Sequence, residues 1–138
     1  MKQMLRKRAR IVRVRNVQHL QASAQAAQAE GRVATLENSA ARLVSLRGSL
    51  EPTPGVLFAA ALSGAGELSM RLDAARHGMT DAIVEARASA GRLAEARLAA
   101  RIRQEGAEKL GEQARAAYAE WREKKQATPH RRKAGGER

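Results

Sequence analysis

Three histidines, His19, His77 and His130, are the only imidazoles in this chain of 138 residues. A zinc site needs three or four nitrogen, sulfur or oxygen ligands at close spacing. His19 and His77 could face each other across a hairpin, yet neither brings a carboxylate or a third ligand. There is no cysteine, which excludes a disulfide framework, a thiolate metal site and a cysteine nucleophile. Gly64 and Gly66 lack the following Lys-Ser/Thr of a phosphate-cradling loop. The carboxylates sit mostly beside arginines, as on a solvated coiled coil. No zinc finger, homeodomain-like core or aromatic RNA-binding motif is present. These residues point to no catalysis, no metal and no cofactor.

Charge is the stronger signal. Lys and Arg number 26 against 14 Asp and Glu, a formal charge of +12. Such a chain calls for an acidic partner: nucleic acid, an anionic membrane surface or an acidic protein. Residues 1–29 hold no acidic residue but carry Lys2, Arg6, Lys7, Arg8, Arg10, Arg13 and Arg15. Arg6, Arg10 and Arg13 fall at three- and four-residue spacing, which makes a basic ridge if the segment is helical. The plainer alternative is a solvated helix start. No apolar run is long enough for a membrane span, and the basic start lacks the apolar core of a secretory signal. The expected location is cytoplasmic, or peripheral at the inner face of the cell membrane.

The elements that must position this charge are long helices. From Gly66 to Lys125 there is no proline, and one heptad register holds. It runs through Leu72, Met79, Ala86, Leu93, Ala100, Ala107, Ala114 and Trp121. A second line passes through Leu68, Ala75, Ala82, Ser89, Ala96, Arg103, Leu110 and Ala117, with Arg103 as the charged intruder. At ~1.5 Å per residue such a helix is roughly 90 Å long, and it must pair with another. An earlier seam of Val33, Leu36, Ala40, Leu43 and Leu50, interrupted by Arg47, projects back to Ala26, Ala22 and His19. It predicts a first helix from about residue 3 to 50. With one Phe, one Tyr and one Trp, a wide core is excluded. Pro52, Pro54 and Gly55 then reverse the chain.

The expected architecture is all-α: a long two-helix antiparallel coiled-coil hairpin over 1–126. Its turn is at 51–55, a short apolar segment spans 56–65, and the second helix runs from about 66 to 126. The 56–62 run, which holds Phe58, is either a separate turn capping the tip or the bent start of the second helix. Tyr118 and Trp121, three apart, share a face. Beyond Thr128-Pro129 a basic tail, 127–138, is expected to be disordered.

Leu5 to Gln18, with Val12-Arg13-Val14-Arg15 followed by a Gln- and Ala-rich helix, resembles the start of the flagellar type III export proteins of the FliJ type, related to the YscO proteins of injectisomes. The plan of a basic amphipathic first helix, a break near one third and a longer Arg/Glu-rich helix is similar too. The Pro-rich break and the glycines after it depart from the fully helical middle of that family. The resemblance implies a stalk-like accessory protein, similar in fold to the coiled coil of a rotary ATPase gamma subunit. Such proteins stimulate and organise the export ATPase, link it to the export gate's cytoplasmic domain and take part in recycling substrate chaperones. Carried to this chain, the ATPase contact would involve Arg10, Ile11, Arg13, Val14, Val17, Tyr118 and Trp121. The alternatives are a basic helical nucleic-acid-binding protein and a structural coiled-coil adaptor.

Overall fold

Alanine, glutamine, glutamate, arginine and leucine dominate the chain between its prolines, and all are strong helix formers. A computed structural model describes residues 1–50 and 59–128. These form two α-helices, α1 (Lys2–Ser49) and α2 (Ala59–Ala127). The fold is all-α. α1 closes with a tightened turn: the Leu50 amide donates to the Arg47 carbonyl at 3.2 Å and the Ser49 hydroxyl to the Leu46 carbonyl at 2.8 Å. At the end of α2 the Thr128 amide and hydroxyl both donate to the Lys124 carbonyl, at 3.1 and 2.8 Å. Arg47 in the last turn of α1, and Lys124 and Lys125 in that of α2, face the negative ends of the helix dipoles.

α2 begins earlier than the sequence predicts. Residues 59–65 belong to it and are not a separate apolar segment. The Ala59–Leu62 run favours helix, and Gly64 and Gly66 cost stability without breaking the hydrogen-bond ladder. The expected turn at 51–55, the rest of the apolar segment at 56–58 and the tail beyond Thr128 lie outside the described residues.

The chain divides into two units: Met1–Leu20 with Ala99–Arg138, and Gln21–Leu98. In each, a piece of α1 packs antiparallel on a piece of α2. Asn16 meets Gln104, and Val12 lies against Gly111, in the first unit. Glu37 meets Arg87 and Arg47 meets Asp73 in the second.

The second unit holds the larger aliphatic seam. Val33, Leu36 and Leu43 on α1, Leu50 just past its end, and Leu72, Met79 and Leu93 on α2 are each half-buried. Only alanines go further: Ala26 is 1% exposed and Ala86 7%. Small side chains let the backbones approach, so the closest contact is made where the seam is thinnest. Arg47, at a seam position, is accommodated because its Nε donates to both carboxylate oxygens of Asp73, at 3.3 and 3.4 Å. Arg87 donates to Glu37 across the same interface. Both pairs are solvent-exposed and worth at most about 1 kcal/mol each; they fix register more than they add stability.

Seven residues of the expected lines on α2 are exposed instead: Leu68, Ala75, Ala96, Arg103, Leu110, Ala117 and Trp121. Leu68 is 46% exposed, with Ser69 half-buried in its place. No described part of α1 covers it, since α1 ends at Ser49. Leu110 is also 46% exposed. There the expected line through Ala100, Ala107 and Ala114 stays on the seam, and only the second line falls one residue later, on Gln104, Gly111 and Tyr118, so Arg103 and Ala117 also face solvent and Trp121 is 40% exposed. The displaced line keeps the seven-residue spacing, and Ser69 already lies on it. Specific contacts then fix the offset: Gln104 reaches Asn16, and Gly111 lies under Val12.

Seven described glycines, Gly78 and Gly91 among them, have nothing within 4 Å of an added Cβ. Gly78→Ala and Gly91→Ala should therefore each stabilise the fold by up to ~1 kcal/mol, raising the midpoint of thermal unfolding followed by circular dichroism. Ala26→Leu should overpack the tightest contact and cost ~1–3 kcal/mol. Ala27→Leu, on the exposed neighbour, should be nearly neutral in the same melt.

Candidate functional site

In the first unit, α1 continues the 3–4 alternation back from His19 through Arg15, Val12, Arg8 and Leu5, all half-buried. Only two of these five are aliphatic. Across from them α2 offers Ala, Gln and Gly in place of Leu and Met. Gln104 Nε2 donates to Asn16 Oδ1 at 2.9 Å and to Glu108 Oε1 at 3.1 Å. His19 keeps a buried Nδ1 with no hydrogen-bond partner. The helix pairing here is thus polar and thin, with little apolar burial to hold it.

Charge concentrates in the same unit. Its described residues carry fourteen Lys/Arg against five Asp/Glu, net +9, whereas those of the second unit carry eight against seven. None of the seven cations of residues 1–20 forms an ion pair among the described residues. In the second unit Arg47, Arg71 and Arg87 are all paired with carboxylates. Arg101 of the first unit pairs with Glu105 at 2.9 Å, and the cations of residues 1–20 are available to an outside anion.

A groove of about 490 Å³ opens between the two helix segments of this unit. Leu5, Ala9, Val12 and Gly111 give it an apolar lining. Arg6, Arg8, Arg13 and Arg115 complete it, and no carboxylate lines it. Gly111 is buried, and a Cβ there would lie 3.4 Å from Val12 Cγ2. Arg115 is anchored at the groove by its Nε, which donates to the Gly111 carbonyl at 3.4 Å.

The residues assigned to partner contact from the sequence all fall in this unit, but they do not form one surface. Ile11, Val14 and Val17 are 43%, 48% and 53% exposed, and Arg10 and Arg13 are exposed with them. By heptad position Val14 and Val17 sit on the side of α1 turned from its seam, and Ile11 on its flank. Tyr118 instead occupies the seam, half-buried. It stacks on Trp121 with ring centroids 5.8 Å apart and an interplanar angle of 24°. Lys125 Nζ lies 5.0 Å from the Trp121 ring centroid, a cation–π contact. Leu5, Arg8 and Arg15 were legible by carrying the heptad back past His19. Gly111 and Arg115 were not, because the one-residue offset of α2 hides them.

The histidines do not converge. His19 belongs to the first unit, and His77 to the second, beside Asp73, Arg76 and Thr80. His130 lies outside the described residues. Among the described residues no cluster of three or more His, Asp or Glu could hold a metal ion, and no helix is long and apolar enough to cross a membrane. No family model, curated protein or solved structure matches the chain.

Trp121 is the sole tryptophan and reports on this field. Iodide should quench its fluorescence more steeply than caesium at low ionic strength. The two slopes should converge as salt shortens the screening length to a few ångströms.

Proposed function

We propose that this protein is a non-catalytic coiled-coil adaptor that docks an acidic protein partner through its first unit. In its specific form it is a stalk-like accessory protein of a flagellar-type export ATPase, linking the ATPase to the export gate and to substrate chaperones. The observation that carries the reading is the asymmetry between the units. One has an aliphatic seam and balanced charge; the other has a thin polar seam, net +9, unpaired cations and exposed Ile11, Val14 and Val17. The second unit is built to hold together and the first to be completed by something else. A basic helical pair in an acidic ring lumen would associate quickly, and its effect would be to bias subunit geometry in a partner that hydrolyses ATP.

Mixing the protein with the export ATPase of the same organism, then measuring complex size by light scattering and the hydrolysis rate, tests this. A complex with a raised rate is expected. The triple variant Ile11→Ser/Val14→Ser/Val17→Ser should keep its helicity, since all three side chains are exposed, and lose the stimulation. An ATPase rate unchanged by the wild-type protein would remove the export role.

The unpaired cations of residues 1–20 also favour a second reading, contact with nucleic-acid phosphates. It requires binding to duplex or single-stranded probes that persists at ~150 mM salt; dissociation by that point rejects it.

A further inference from the structure

We infer that the groove lined by Leu5, Val12 and Gly111 seats a third helix, an acidic amphipathic one supplied by a partner protein. The inference rests on the adaptor reading and names the chemistry of what is docked. Leu5 and Val12 are seven residues apart and both half-buried, and Gly111 adds no side chain. The groove is therefore aliphatic and recessed at those positions, with Ala9 and the half-buried Arg8 between them. Arg6 and Arg13 each follow one of those aliphatic residues and repeat at the same interval, about 10.5 Å along the axis. Arg115 lines the groove from the other helix. A helix laid along the groove repeats its own side chains at that spacing. Its Leu-type residues would enter over Leu5 and Val12, and Asp or Glu beside them would meet Arg6, Arg13 and Arg115. Guanidinium forks suit carboxylates, which they bind bidentately. This is coiled-coil flank pairing with one side wholly positive.

Other occupants fit less well. An anionic lipid places its charge at one end of an acyl chain, whereas these arginines come from both helices and repeat along one of them. A phosphate backbone would use the arginines and leave the aliphatic lining wet. The chain's own residues 129–138 carry four Lys/Arg against one Glu, the same sign as the groove. A second copy would bring another net +9 unit against the first.

The test uses the full chain and a fluorescein-labelled synthetic helix with a heptad Leu stripe flanked by Glu, followed by anisotropy at ~150 mM salt. A control peptide has the same composition with the stripe scrambled. The striped peptide should bind at least tenfold more tightly than the scrambled one. Arg6→Glu/Arg13→Glu should weaken it at least tenfold. Lys2→Glu/Lys7→Glu, the same charge change off the groove, should weaken it threefold or less. Gly111→Leu should block binding by filling the groove, with helicity checked by circular dichroism; the arginine pair is exposed and keeps the test independent of folding. Equal binding of both peptides, equal losses in the two charge variants, or vesicles of phosphatidylserine binding in an Arg6/Arg13-dependent way while the striped peptide does not, would each overturn the inference. The export ATPase takes no part in this assay. Peptide binding without ATPase stimulation would remove the export role and keep the groove; stimulation without peptide binding would do the reverse.

Discussion

Two helices side by side can bury only one narrow stripe of each, and everything else in this protein follows from that limit. The seam leucines stay half-buried, and only Ala26 and Ala86 fall below a tenth exposed among the described core side chains. With so little burial per residue, stability must come from length and from a register held over many turns. Interhelical ion pairs such as Arg47–Asp73 and Glu37–Arg87 then act as register marks, because a one-residue slip would part both pairs.

The seam is not uniform, and the docking proposal rests on the difference between its parts. In the second unit Val33, Leu36 and Leu43, with Leu72, Met79 and Leu93, give a conventional aliphatic interface. In the first, Arg8, Arg15, His19 and Gln104 stand where leucines would. Polar seam residues lower stability while specifying register, and weakly held segments are where proteins respond to partners. The unpaired cations and the arginine-lined groove lie in that same unit. Thin packing and focused charge have one cause: α1 spends its first residues on arginine, and α2 answers with alanine, glutamine and glycine.

Sequence reasoning reached the helices through the absence of proline and the 3–4 spacing of apolar residues, both local properties of one strand of sequence. It placed Val33, Leu36, Leu43, Leu50, Leu72, Met79 and Leu93 on the seam, where they are half-buried. It failed at Leu110 and Arg103, because apolar type favours Leu110 over its neighbour, whereas packing puts Gln104 against Asn16 and Gly111 under Val12. At the start of α2 it left two readings, a separate cap or the start of the helix itself, and residues 59–65 take the second, with Gly64 and Gly66 merely weak helical positions.

The sequence by itself determined the secondary structure, the antiparallel pairing expected of two long helices and the concentration of positive charge near the N-terminus. Each of these is a matter of propensity, spacing or count along the chain. Only the tertiary structure decided which cations share a unit, that Gln104 and Gly111 rather than Arg103 and Leu110 face α1, and that Arg115 joins Arg6 and Arg13 around one groove. The reason is geometric. A groove between helices depends on their relative rotation, and one residue of offset, about 100° of turn, changes every side chain that lines it.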